Sequence, residues 1–190
     1  MPTKVAIFAS GSGSNAENII NYFAQNETIK ICLVLSNRSD AFVLERAKKY
    51  QIPSAVLGKK DIEEGSKLIE MLNFYDIDFI VLAGFLLKIP EYLINMYPNR
   101  IVNIHPALLP NYGGKGMYGH FVHEAVVAAR ETESGISVHF VNSNYDEGDI
   151  IFQAKCPVLP FDTPDDVAAK VHELEYIHFP QVIEQVIRTL

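Results

Sequence analysis

Asn103 and His105 stand at the end of the run Ile101-Val102-Asn103-Ile104-His105, with one residue between them. In an extended chain, side chains two apart project to the same side, so the amide and the imidazole can emerge together from one strand end. Pro106 stops regular ladder pairing at once, and Pro110 closes the short apolar run Ala107-Leu108-Leu109. A neutral amide donor beside an imidazole is suited to holding a carbonyl oxygen as it becomes an oxyanion, and to moving a proton close by. The same spacing is also met by a strand end closed by two satisfied polar residues.

A second constellation lies near the N-terminus. The apolar run Lys4–Ala9 leads into Ser10-Gly11-Ser12-Gly13-Ser14-Asn15-Ala16, and a helical pattern follows from Asn15 to Gln25. Strand, glycine turn and helix start together form an anion site, because free amides and the helix dipole both favour negative charge. The loop fits G-x-G-x-x-G/A, the dinucleotide fingerprint. That reading needs an acid at the end of the next strand, where this chain has Val34-Leu35-Ser36-Asn37. A single phosphate is the better expectation; a tight turn without ligand is the alternative. A third group of polar residues, Asp146-Glu147-Gly148-Asp149, lies in a short loop after Ser137–Val141. An aspartate near an imidazole favours its protonated form, so an acid of this loop beside His105 would raise the histidine's pKa. Spacing does not choose among Asp146, Glu147 and Asp149, and Asp146 could simply organise the turn.

The elements around these groups alternate. Strands are expected at 4–9, 29–36, 54–57, 78–83 and 100–104, with helices at 15–25, from an Asp40 N-cap to Tyr50, up to Phe74, and from Pro90. This pattern predicts an α/β fold: a mostly parallel twisted sheet, Rossmann-like, with helices on both faces. Strands at 135–141 and 150–154 predict an antiparallel hairpin near one edge. Lys59–Glu64 reads as a charged loop, and the glycines of Asn111–Gly119 as a loop that moves or approaches a ligand closely. A helix is expected from His120 to Arg130. Thr163-Pro164-Asp165-Asp166 is a strong helix start, and the helix is expected to kink or break near Pro180.

Length and composition limit the rest. The chain has 190 residues, 48% hydrophobic and 21% charged, consistent with one soluble domain spanning 1–190. A net charge of -7 disfavours nonspecific nucleic-acid or anionic-membrane binding. No apolar run reaches membrane-spanning length, and no leader is apparent, so a cytoplasmic location is expected. Cys32 and Cys156 are not clustered, which suggests neither a disulfide framework nor a metal site.

Asn103-Ile104-His105-Pro106-Ala107-Leu108-Leu109-Pro110 resembles the N-x-H-P-S-L-L-P signature of the formyltetrahydrofolate-dependent formyltransferases, with Ala107 where Ser is usual. The likeness extends over nearly the whole chain. The glycine loop, Ser36-Asn37-Arg38-Ser39-Asp40-Ala41 and Ala83-Gly84-Phe85 are most similar to the branch that formylates glycinamide ribonucleotide in purine biosynthesis. Two sister branches share the chemistry: the methionyl-tRNA formyltransferases carry an added C-terminal domain and the formyltetrahydrofolate hydrolases an added N-terminal one, and 190 residues leave room for neither. A non-enzymatic nucleotide-binding module would keep the glycine loop and need none of Asn103, His105 and Asp146.

The resemblance implies two small-molecule substrates, glycinamide ribonucleotide and the co-substrate 10-formyltetrahydrofolate, with no metal, and a monomer or homodimer. It implies direct attack of the substrate amine on the formyl carbon, with Asn103, a protonated His105 and Asp146 as catalytic residues. Gly13, Ser14 and Asn15 correspond to phosphate contacts, and His172 and Glu175 to ribonucleotide contacts in the last helix. Folate contacts fall on Leu86, Leu87, Lys88 and Ile89, on Asn103, and on Asn142, Ser143, Asn144, Tyr145 and Asp146. The sequence departs from the family pattern at Leu87, where a charged residue can occur, and in 112–120. It also departs at the family's folate-contacting basic residue, to which Lys59 and Lys60 stand nearest. His139 is either a core histidine or a partner of Asp146.

Overall fold

The computed structural model describes residues 1–190. The chain begins with β1 (Thr3–Phe8), α1 (Ser14–Phe23), β2 (Ile29–Ser36), α2 (Val43–Lys49) and β3 (Ser54–Val56). It continues through α3 (Lys59–Glu64), α4 (Ser66–Phe74), β4 (Phe79–Leu82), α5 (Glu91–Met96) and β5 (Ile101–His105). The last elements are α6 (His120–Ala128), β6 (Glu133–Phe140), β7 (Ile150–Pro157) and α7 (Pro164–Arg188). All seven strands join one sheet in the order β3-β2-β1-β4-β5-β6-β7. β1 to β5 pair in parallel, and β6 and β7 close one edge as the expected antiparallel hairpin.

Strand periodicity divides the core in two. In β1, Val5 and Ile7 pack on one face with residues of α1, α2, α6 and α7. Ala6 and Phe8 pack on the other with residues of α3, α4 and α5. Both faces of the central strands are thus covered, which explains their continuous apolar runs. β1 lies between β2 and β4, so connections leave it in opposite directions and a crevice opens at the carboxyl ends of β1 and β4.

Three local expectations change. α2 starts at Val43 and is not capped by Asp40, whose two carboxylate oxygens are taken by Arg38 at 3.0 and 2.8 Å. Residues 59–64 form a helix instead of a loop: Asp61 caps the Gly58 amide at 3.2 Å, and Lys59–Glu63 and Lys60–Glu64 pair one turn apart. α7 is continuous through Pro180, so the break expected as one outcome there does not occur. Proline at 180 deprives the Tyr176 carbonyl of its helical donor. The Asn18 side chain of α1 supplies one instead, at 2.9 Å. The start of α7 is as expected, with Thr163 and Asp166 capping each other.

Candidate active site

A cavity of about 830 Å³ opens at the crevice, lined by the loops after β1, β4 and β5, the glycine-rich segment before α6, and the start of α7. Asn103 and His105 do share a face of β5. The antiparallel register sets His139 of β6 directly across from Asn103 and Ser137 across from His105. Cross-strand partners on one face touch, and Asn103 Nδ2 lies 3.0 Å from His139 Nε2. His139 Nδ1 lies 2.7 Å from the Phe140 carbonyl, to which it donates, and this leaves Nε2 to accept from the Asn103 amide. That tautomer sets the rotation of the Asn103 amide. Its second N–H is held only loosely, 3.4 Å from Asp146 Oδ1, and can be redirected.

Asp146 is brought to the site by a loop that bonds largely to itself. Asn142 Oδ1 accepts the Asn144 amide at 2.9 Å, and Asn144 Nδ2 donates to Glu147 at 2.8 Å. Asp146 has φ 56, a left-handed conformation that aspartate tolerates better than most residues. Gly148 lies so close to the Phe140 carbonyl that a Cβ would come within 1.7 Å of it, which packs the loop against the His139 segment. Asp146 Oδ2 accepts the Gly114 amide at 2.9 Å and lies 3.5 Å from His105 Nδ1. Glu147 is exposed and committed to Asn144, and Asp149 is exposed, so of the three acids only Asp146 reaches the histidines.

His105 is 3% exposed, and its Nε2 lies 2.7 Å from the Tyr112 carbonyl, so Nε2 donates and Nδ1 faces Asp146. Burial pushes the ring's pKa below 6.5, outweighing the opposing pull of Asp146 and the Tyr112 carbonyl. Burial also favours the neutral form of Asp146, but contacts with His139, His105 and the Gly114 amide outweigh it and hold this carboxyl below 3.8. The resting pair at neutral pH is therefore an aspartate beside a neutral imidazole. This corrects the expectation of a protonated His105: loss of water around the ring exceeds the attraction of the carboxylate.

At the other end of the cavity, Gly13 precedes α1 with φ 72 and ψ 25. Its missing Cβ would lie 2.4 Å from Val43 Cγ2, so the loop closes against α2 only with glycine there. The amides of Ser12 to Asn15 donate to no protein acceptor. Asn15 Nδ2 donates to Glu175 Oε2 at 2.8 Å, and His172 Nδ1 lies 2.8 Å from the same oxygen. The hydrogen bond to Glu175 raises the His172 pKa against the effect of burial.

Of the expected folate residues, Leu86, Asn103, Tyr145 and Asp146 line the cavity, while Leu87, Lys88, Asn142, Ser143 and Asn144 do not. Ile89 turns into the core at 4% exposure, and Asn142 and Asn144 shape the loop that carries Asp146. Reading the sequence missed the backbone groups of Tyr112 and Gly114, for which the glycine-rich loop was the only signal. It also missed His123, whose buried Nδ1 has no partner and whose pKa falls to about 4, chiefly from burial and then from His172.

The formyl transferase family matches residues 3–183. A chloroplastic phosphoribosylglycinamide formyltransferase of Arabidopsis thaliana is 39% identical over 95% of this chain, which spans 64% of that relative's length. The phosphoribosylglycinamide formyltransferase of Haemophilus influenzae is 37% identical over 95% of this chain and 85% of its own. The crystal structure of a phosphoribosylglycinamide formyltransferase from Anaplasma phagocytophilum superposes with a TM-score of 0.90 at 30% identity, covering 100% of this chain and 88% of that one. With this sheet order, this cavity and a match over almost its full length, the chain belongs to the formyl transferase family.

Proposed function

We propose that the protein transfers the formyl group of 10-formyltetrahydrofolate to the amine of glycinamide ribonucleotide. One observation carries the reading: a single cavity joins a loop of free amides at a helix start to a cluster of half-buried Asn103 and Asp146 around buried His105. The ribonucleotide phosphate would meet the Ser12–Asn15 amides, and its ribose the Asn15, His172 and Glu175 group. The folate would enter past Leu86 and Tyr145. Its formyl carbon then falls between the two halves of the site, next to Asn103.

The resting protonation state suits direct transfer. The neutral amine attacks the formyl carbon, and the carbonyl oxygen becomes an oxyanion that takes the loosely held N–H of Asn103. The nitrogen becomes cationic as the bond forms, and neutral His105 takes its proton at Nδ1. The resulting imidazolium lies beside Asp146, which stabilises it. Collapse of the tetrahedral intermediate breaks the bond to the folate nitrogen, which recovers the proton from His105. Neither Cys32 nor Cys156 lines the cavity, in keeping with transfer that forms no thioester.

Purified protein supplied with both substrates should form one formylated ribonucleotide, seen by mass spectrometry, for each folate deformylated, followed by absorbance. Deformylation that yields formate with no ribonucleotide product would replace transfer with hydrolysis.

A further inference from the structure

We infer that Arg46, which lies outside the cavity, is a positioning residue for phosphate recognition: by fixing the Ser12 carbonyl it turns the Gly13 amide into the cleft. The inference rests on the phosphate reading of the loop proposed above.

Two carbonyls of the loop are bound from the α2 side. The Val43 amide donates to the Gly11 carbonyl at 3.1 Å, and Arg46 Nε donates to the Ser12 carbonyl at 2.8 Å. In a trans peptide the C=O and the following N–H point in opposite directions, and the one cis bond of the chain is Leu109–Pro110. Anchoring those carbonyls on α2 therefore presents the Ser12 and Gly13 amides on the opposite side, where both residues line the cavity. Aligned amides of this kind hold an anion without a cation in contact. Arg38, the cation beside the loop, is already engaged by Asp40.

The Val43 bond comes from main chain and survives most substitutions. The Ser12 bond comes from the Arg46 side chain alone. The other end of the guanidinium pairs with Glu17 in the first turn of α1. Glu17 Oε1 also accepts Lys49 Nζ at 2.9 Å and Tyr50 Oη at 3.0 Å. A carboxylate there competes with a phosphate for the positive end of the helix, and these partners draw it toward α2. Lys49 and Tyr50 would serve a plain tie between the two helices. The bond to Ser12 is what Arg46 adds.

The test is an NMR titration of the full chain with inorganic phosphate and with ribose 5-phosphate, following the amides of Ser12 to Asn15. In the wild type the Ser12 and Gly13 signals should shift and saturate. Arg46→Met should weaken binding about tenfold, the scale of one lost charge-assisted hydrogen bond. Arg46→Lys keeps the charge but not the planar fork and should stay weaker than wild type. Glu17→Gln leaves Arg46 on Ser12 and should bind phosphate at least as well as wild type. In turnover, Arg46→Met should raise KM for the ribonucleotide and leave kcat and the folate KM nearly unchanged. Wild-type phosphate affinity in a folded Arg46→Met variant overturns the inference. Full recovery in Arg46→Lys does so too, as does a loss in Glu17→Gln equal to that in Arg46→Met. Phosphate binding that depends on Arg46 without formyl transfer would sink the proposed reaction and leave Arg46 its role. No amide shift in the wild type overturns both.

Discussion

Replacing Asp146 by Asn keeps an acceptor for the Gly114 amide and removes the charge facing His105. An imidazolium 3.5 Å from a carboxylate gains about 5 kcal/mol at an effective dielectric of about 20, an upper limit because the Asp146 side chain is 12% exposed. If a third of that survives solvent screening, the His105 pKa falls by about one further unit from its already depressed value. The imidazolium formed during transfer loses the same support, so kcat should fall about tenfold. Because neutral His105 is the working base, lowering the pH should not restore the variant. The assay is kcat against pH, together with NMR titration of His105 in both proteins. An unchanged His105 titration with kcat within about threefold of wild type would refute the linkage and leave Asp146 as a turn residue.

Three further outcomes are expected. Asn103→Ala should lower kcat about 10²-fold by removing an oxyanion donor. His139→Phe, which leaves the amide free to rotate, should show part of that loss, and the double variant little beyond Asn103→Ala; additive losses would show that the two act separately. Gly13→Ala puts a Cβ against Val43 at positive φ, so Tm should fall and the ribonucleotide KM rise more than the folate KM; equal rises would remove Gly13 from phosphate recognition. His123 has a folded pKa of about 4 against 6.5 when free, so between those values the unfolded chain takes up a proton that the folded protein refuses. Stability should therefore drop by about 3 kcal/mol as pH falls from 6.5 to 4, and His123→Leu should flatten that slope in urea midpoints measured across the range; an unchanged slope would place the acid sensitivity elsewhere.

What the sequence determined by itself is local. Alternation put Asn103 and His105 on one face of β5, because the side-chain period of a strand is two whatever surrounds it. Glycine at 13 and the Thr163–Asp166 pair marked helix starts, because backbone freedom and capping act within a few residues. The continuous apolar strands predicted a sheet covered on both faces. Tertiary structure decided what depends on distant partners. His139 meets Asn103 only through the β5–β6 register, and spacing left Asp146, Glu147 and Asp149 equivalent where the folded loop turns Asp146 alone toward the histidines. α7 passes Pro180 because Asn18, remote in sequence, satisfies the carbonyl that proline leaves without a donor. The resting charge of His105 was set against expectation, since burial is a property of the assembled core, and no spacing of residues encodes how much water a side chain will lose.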